Sequence, residues 1–187
     1  MAVKTFTTGE VLTASDTNTY LANSGLVYIS TVTANTATIA VDNVFTSTYT
    51  SYRVVIQFEN VTLTGSYFLR LRAGGTAVAT GYYYGGYTYF YDGTAPGLTS
   101  GNNVAGLPVG VHTAGGFRRG ATVDIICPQI AENTTFIANA ACGFSNYIRQ
   151  DVTGVLANTN AYDGFQLTQD SGGTIDAIVT VYGYRKA

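Results

Sequence analysis

The sequence predicts an all-β protein: a jelly-roll-like antiparallel β-sandwich of about eight strands, preceded by a short N-terminal arm and helix. Two observations lead to this fold class. The 187 residues include 29 threonines and 15 tyrosines, which favour strands, and 22 glycines, which mark turns. Short runs that alternate between apolar and polar residues recur along the chain, separated by Gly, Asn and Asp, a spacing typical of a sandwich.

The charge content limits the kinds of partner that the protein can bind. Only 11% of the residues are charged, against about 25% in an ordinary globular protein, and the net charge is -2. We expect no nucleic-acid partner, because electrostatic binding to phosphates needs a basic patch. No run of about 18 apolar residues occurs, so no membrane insertion is expected. A surface with so few charges indicates a protein that is covered by partners or by copies of itself.

Residues 1–25 differ from the rest and are predicted to form an anchoring arm with a short helix. Asp16 follows Thr13 by three residues, the spacing of a capping box, in which each side chain bonds to the other residue's amide. The helix would continue to about Asn23 and end at Gly25. About ten residues make a marginal helix in water, so it must dock on its own β domain or on a partner or sister chain. The predicted anchoring residues are Phe6, Val11, Leu12, Thr13, Asp16, Tyr20 and Leu21.

Beyond the arm the pattern changes to the two-residue period of strands, and residues 26–187 are predicted to form one β-sandwich domain. In the run 67–72, for example, Tyr67, Leu69 and Leu71 share one face, and the residues between them share the other. The predicted strands are residues 26–32, 36–41, 52–58, 67–72, 121–127, 135–141, 164–168 and 175–184.

The segment 73–116 is predicted to be a long Tyr/Gly-rich excursion without regular strands, and an excursion of this length is usually functional. Residues 81–91, GYYYGGYTYFY, hold six tyrosines, one phenylalanine and three glycines. Tyrosine gives a large contact area at low entropic cost, which suits a binding surface or a subunit interface better than an ordinary core layer. The predicted receptor-binding or interface residues are Tyr82, Tyr83, Tyr84, Tyr87, Tyr89, Phe90 and Tyr91.

The sequence carries no recognisable catalytic or metal-binding pattern, so we expect no enzyme, no cofactor and no metal site. The single histidine, His112, and the two cysteines, Cys127 and Cys142, lack the spacing of a zinc site. A Cys–His nucleophile pair has no local support. Two buried thiols are the favoured interpretation of the cysteines, and one disulfide is the alternative.

Two pairs of arginines are the remaining charged clusters. Arg70 and Arg72 share one face of a predicted strand, and Arg118 and Arg119 lie in a predicted turn. Solvated or ion-paired charges are the favoured interpretation of both pairs. The alternative is pairing with Asp or Glu of another chain.

Residues 6–18, FTTGEVLTASDTN, resemble the N-terminal segment of many phage tail-fibre and minor virion proteins. That segment often has a pattern such as F-x-x-G-E-V-L-T-A-x-D-x-N before a short helix. Residues 52–56, 69–75 and 181–185, which read YRVVI, LRLRAGG and VYGYR, are similar to parts of the β-sandwich domains that often follow it. The similarity is more specific in the N-terminal segment than in the body of the chain.

The resemblance implies a phage virion structural protein, a short homotrimeric tail fibre or knob. The first residues, MAVKTF, lack the apolar run of a signal peptide, so we expect the protein to be made in the host cytoplasm. In virion proteins of that class the N-terminus, here residues 1–25, attaches to other virion proteins. The C-terminal domain faces outward, where it would meet a host-surface glycan or protein. A capsid decoration or cement protein, with its tyrosines packed between subunits, is the alternative. A polysaccharide-degrading spike is a remote alternative.

Overall fold

The computed structural model describes residues 7–16, 25–112, 119–143 and 147–185, and almost all of the regular secondary structure within them is β-strand. Apolar side chains on every second residue let each strand pair with its neighbours while it turns one face inward. The elements are α1 Ala14–Asp16, β1 Leu26–Thr36, β2 Thr38–Val41, β3 Tyr49–Val61, β4 Gly65–Ala73, β5 Thr76–Ala77, β6 Tyr82–Phe90, β7 Gly97–Val104, β8 Leu107–His112, β9 Arg119–Ile126, β10 Thr134–Gly143, β11 Tyr147–Leu156, β12 Gly164–Gln169 and β13 Ile175–Arg185.

The strands form two antiparallel sheets that pack against each other. The large sheet has eight strands in the order β1-β13-β3-β9-β10-β11-β6-β7. The small sheet has the order β2-β12-β4, and both the short strand β5 and the strand β8 pair with β4. Among the described residues, β1 and β7 are therefore the outermost strands of the large sheet.

Eight of the strands form a jelly roll. The strands β1-β13-β3-β9 stand side by side in the large sheet, and β2-β12-β4-β8 stand in that order in the small sheet. Two interlocked Greek keys on two four-stranded sheets define this architecture. The predicted fold class, an all-β antiparallel sandwich of jelly-roll type, is confirmed.

The remaining strands are two additions to the jelly roll. The strands β5, β6 and β7 lie between β4 and β8 along the chain, and β10 and β11 lie between β9 and β12. The pairs β6-β7 and β10-β11 are antiparallel hairpins that extend the large sheet, and they meet where β11 pairs with β6. This extension carries the tyrosine-rich sequence.

The eight predicted strand segments overlap β1, β2, β3, β4, β9, β10, β12 and β13. The prediction that residues 73–116 lack regular strands is wrong, because they contain β5 to β8. Glycine is disfavoured in strands, yet backbone hydrogen bonds to a neighbour on each side hold β6 in place whatever its side chains are. The strand β11 was also missed.

The core lies between the two sheets and is rich in aromatic side chains. The ring of Phe45 lies 4.7 Å from that of Tyr52 and 5.9 Å from that of Phe165, measured between centroids. The hydroxyl of Tyr52 donates to the carbonyl oxygen of Thr46 and accepts from the Thr46 amide, both at 2.7 Å. The buried phenol is thus fully bonded, which removes the cost of burying a polar group.

The N-terminal arm begins its helix where the sequence predicts. The amide of Asp16 donates to the Thr13 hydroxyl, and the amide of Thr13 donates to the Asp16 carboxylate, each at 3.1 Å. This reciprocal pair is the predicted capping box. The helix described is Ala14–Asp16, and its predicted continuation to Asn23 lies outside the described residues, as do the predicted anchoring residues Phe6, Tyr20 and Leu21. No helix in the described part of the chain has the length and apolarity needed to cross a bilayer.

Candidate functional site

The strand β6 divides the tyrosine cluster between the two faces of the large sheet. Because successive side chains of a strand point to opposite faces, residues 82, 84 and 90 face inward, and residues 83, 87 and 89 face outward. The exposure of the side chains follows this alternation along the whole strand. The cluster is therefore two sets of aromatic residues with different surroundings.

The inward-facing set belongs to the core. Tyr82 is completely buried, its ring lies 6.0 Å from that of Phe136, and its hydroxyl accepts a 2.7 Å hydrogen bond from the Leu71 amide. Burial raises the pKa of Tyr82 far above its ordinary value. The placement of Tyr82 in a receptor-binding or interface site is wrong, because neither a receptor nor a second subunit can reach it. Tyr84 and Phe90 are half-buried and pack against the same core.

The outward-facing set forms an exposed aromatic surface. Its members are Tyr83, Tyr87 and Tyr89 on β6, Tyr91 in the turn after β6, and Tyr147 at the start of β11. Tyr91 and Tyr147 are 65% and 71% exposed and adjacent, since the Tyr91 amide donates to the Tyr147 carbonyl oxygen at 3.1 Å. Tyr147 is not among the residues that the sequence predicts for the site. The alternation of buried and exposed residues in β11 is the signal that would have placed it on this face.

A trough interrupts the aromatic surface at Gly85. It is open to solvent, has a volume of about 710 Å³, and crosses the strands β7, β6, β11 and β10. Thr153 of β11 and Ser100 of β7 lie directly opposite Gly85 in the register. The main residues lining the trough are Tyr83, Gly85, Asn102, Thr135, Thr153 and Val155. Every one of these side chains is uncharged.

The ion pairs on the outer face of the large sheet are internally balanced. Arg149 pairs with Asp151 at 2.8 Å beside the aromatic surface, and its guanidinium lies 5.7 Å from the centre of the Tyr89 ring. Nearer the other side of the sheet, Arg53 donates two hydrogen bonds to Asp124 at 2.7 and 2.8 Å. Burial alone would raise the pKa of Asp124, but hydrogen bonds from Arg53 and Tyr184 outweigh it and hold that pKa below its ordinary value. Such a face attracts ligands by contact and hydrogen bonding more than by net charge.

The single histidine is a core residue. His112 is completely buried, with ring centroids 4.3 Å from Phe58 and 4.8 Å from Tyr67. Neither ring nitrogen has a hydrogen-bond partner within the described residues. Burial, with a smaller contribution from the charge of Arg119, lowers the pKa of His112 to about 3. Cys127 is a free, half-buried thiol, and within the described ranges no three His, Cys, Asp or Glu residues are grouped as metal ligands would be.

Arg72 on β4 is ion-paired, and Arg119 on β9 is buried. Arg72 pairs with Asp42 at 2.7 Å and donates to Gln166 at 2.6 Å, so the prediction of an ion-paired charge is confirmed for Arg72. Arg119 is buried at the start of β9, so its predicted position in a turn is wrong. Arg118 lies outside the described residues.

The described part of the arm exposes two adjacent apolar side chains. Val11 is 78% exposed and Leu12 is 49% exposed, and every residue from 7 to 15 is exposed. The chain enters β1 at Gly25, whose carbonyl oxygen accepts from the Arg185 amide at 3.4 Å. Six strand spacings of about 4.8 Å, roughly 29 Å, separate β1 from β6 across the large sheet. The point where the chain enters β1 and the aromatic surface on β6 therefore lie toward opposite edges of the large sheet.

Comparison with known proteins gives no assignment. No family model matches the chain, and the search of curated proteins finds no significant match.

Proposed function

We propose that this protein is a phage virion structural protein, a short homotrimeric tail fibre or knob that binds the host surface. Residues 1–25 attach it to other virion proteins, and the jelly roll displays the aromatic surface. The observation that carries the proposal is that the chain enters the large sheet at β1, six strands away from the tyrosines that are exposed on β6. The resemblance of residues 6–18 to virion proteins supplies the biological setting.

The aromatic surface has the chemistry of a recognition surface. Exposed tyrosines combine a large apolar ring with a hydrogen-bonding hydroxyl, and they lose little side-chain entropy when they are covered. Tyr87 and Tyr89 lie with ring centroids 6.1 Å apart, so they present one joined patch. Leu98, which is in register with Tyr87, extends this patch onto the neighbouring strand and is 80% exposed.

The arm supports the anchoring role. Exposed apolar side chains that follow one another directly, as Val11 and Leu12 do, gain free energy when a partner covers them. Of the two docking sites considered for the arm, a partner or a sister chain suits this exposure better than the arm's own β domain. In a trimer, three such arms would make one attachment site.

The capsid decoration protein remains the second candidate. The tyrosines of such a protein would pack between subunits, and the low charge of the outer face also suits a protein interface. The two candidates differ in one observable: free tyrosines on the assembled particle belong to a host-binding protein, and covered tyrosines belong to a decoration protein.

The first test is the position of the chain in the particle. Antibody against the chain, coupled to gold, is applied to purified particles produced from the genome that encodes it. We expect gold at the tail of wild-type particles and none after Val11→Asp, because the arm no longer docks. Leu63→Asp, an exposed apolar residue on the β domain, is the matched control and should leave the labelling unchanged. Light scattering of the purified chain should give the mass of a trimer.

Binding to host cells separates the two candidates. We expect the labelled chain to bind host cells and Tyr87→Ala to weaken that binding. Tyr28→Ala is the control. Tyr28 is also an exposed tyrosine of the large sheet, but it lies on β1 and not on β6, so this variant should leave cell binding unchanged. If the purified particles are found to lack the chain, the proposal is overturned. If gold labels the head, and the wild type, Tyr87→Ala and Tyr28→Ala bind cells equally well, the chain is a decoration protein and not a host-binding fibre.

A further inference from the structure

The choice of glycine at position 85 has no explanation in the fold. Its φ angle lies outside the left-handed region, and a Cβ atom built on it would meet no atom within 4 Å. The next residue, Gly86, is different, since its Cβ would collide with the carbonyl oxygen of Asp151. Glycine in the interior of a strand costs stability compared with residues that favour strands. What glycine provides at position 85 is open space on the outer face.

That space lies between two exposed aromatic rings. Tyr83 and Tyr87 precede and follow Gly85 on the same face and are 39% and 48% exposed. Their Cα atoms are four residues apart on a strand, roughly 13 Å at about 3.3 Å per residue. The trough at Gly85 has a volume of about 710 Å³ and is open to solvent, so a ligand lying in it would remain partly hydrated.

The polar groups of the trough are hydroxyls and an amide. Thr135 and Thr153 supply hydroxyls that can donate and accept, and Asn102 supplies a side-chain amide. The nearby charges of Arg149 and Asp151 pair with each other at 2.8 Å. An anionic or cationic ligand would therefore find no group of opposite charge in the lining. The lining suits an uncharged ligand that carries many hydroxyls.

From this geometry we infer that the trough binds an uncharged saccharide chain. The C–H face of a sugar ring is apolar and slightly positive, so it packs on the negative face of a tyrosine ring. The sugar hydroxyls would bond to Thr135, Thr153 and Asn102. The inference rests on the proposed function, in which the saccharide is part of a host-surface polysaccharide. The host-surface partner, left as a glycan or a protein by the sequence, is then a neutral glycan.

The test places a side chain in the trough at Gly85, where glycine leaves the floor open. Gly85→Val places a β-branched residue, favoured in strands, where the structure has room for it. The control is Gly120→Val on β9, an outer-face position outside the trough whose Cβ would make only an ordinary 3.7 Å contact. The full-length wild type and both variants are applied to an array of purified bacterial polysaccharides. Half of the array is uncharged, and half carries carboxylates or phosphates.

We expect the wild type to bind at least one uncharged polysaccharide, with an affinity that Gly85→Val lowers by at least about tenfold. Gly120→Val should bind like the wild type. Thermal melting checks that both variants fold, and Tyr87→Ala, which removes a ring and adds no bulk, should also weaken binding. Binding restricted to charged polysaccharides, no binding to any polysaccharide, or full binding by Gly85→Val would each overturn the inference.

The inference and the proposed function can fail separately. If the chain is found in particles and binds host cells, and Gly85→Val binds those cells equally well, the saccharide site is wrong and the virion function stands. If neutral polysaccharide binding depends on Gly85 but purified particles lack the chain, the virion function is wrong and the saccharide site stands.

Discussion

The buried histidine makes acid sensitivity the most direct test of the structure. His112 lies between Phe58 and Tyr67 with no exposed surface, and burial holds its pKa at about 3. In the unfolded chain its pKa returns to about 6.5. Replacing His112 with leucine keeps a buried side chain of similar size that cannot take up a proton. We expect His112→Leu to remove part of the destabilisation that acid causes.

The sign and size of the effect follow from proton linkage. Below pH 6.5 the unfolded chain binds a proton at His112 and the folded chain does not, so the free energy of unfolding falls as the pH falls. Each pH decade between 6.5 and the folded pKa of about 3 costs about 1.4 kcal/mol. The loss attributable to His112 is therefore about 2 kcal/mol at pH 5 and about 4 kcal/mol at pH 3. Above pH 7 His112 is neutral in both the folded and the unfolded chain, so its shifted pKa does not change the free energy of unfolding.

Urea unfolding at pH 7.5, 6 and 5 measures this loss. Carboxylates also titrate in acid, so the informative quantity is the difference in pH dependence between the wild type and His112→Leu. We expect the wild type to lose about 2 kcal/mol more than the variant between pH 7.5 and 5. Parallel curves would refute the reasoning. Because the chain has one histidine, its imidazole proton resonances need no assignment, and an inflection near pH 6.5 in the folded protein would also refute it.

Three further substitutions test the close packing of the tyrosine-rich hairpin. Gly86→Ala should destabilise the protein by about 1–3 kcal/mol or more in urea unfolding, because its Cβ meets the Asp151 carbonyl, whereas Gly85→Ala should be neutral or slightly stabilising. Equal stability of the two variants would contradict the register of β6 and β11. Tyr82→Phe should cost about 1–3 kcal/mol in the same measurement, because the Leu71 amide loses its buried acceptor, and an unchanged midpoint would refute that hydrogen bond.

The sequence was informative where the two faces of a strand differ in chemistry. In β4, Tyr67, Leu69 and Leu71 are completely buried, as the alternation predicts, while Phe68, Arg70 and Arg72 on the other face are partly exposed. Hydrophobic and charged side chains make such a choice unambiguous. The capping box at Thr13 was readable for a similar reason, since it depends only on local spacing.

For β6, the face on which each tyrosine lies could not be predicted in this way. Tyrosines occupy both faces of β6, and a phenol suits a bonded core position as well as solvent. The burial of Tyr82 is decided by the Leu71 amide, and the exposure of Tyr83 by the direction in which β6 enters the sheet. Neither determinant is local in the sequence. The prediction therefore found the cluster but could not divide it.

The trough is less predictable still, because it exists only where two additions to the jelly roll meet. Tyr83, Gly85 and Asn102 come from the hairpin β6-β7, whereas Thr135 and Thr153 come from the hairpin β10-β11. The pairing of β11 with β6 joins these two hairpins, which are inserted at different points in the sequence of the jelly roll. The eight-stranded jelly roll is thus the scaffold, and the candidate ligand chemistry belongs to the added strands. A substitution such as Gly85→Val can therefore change binding while it leaves the contacts of the jelly-roll core in place.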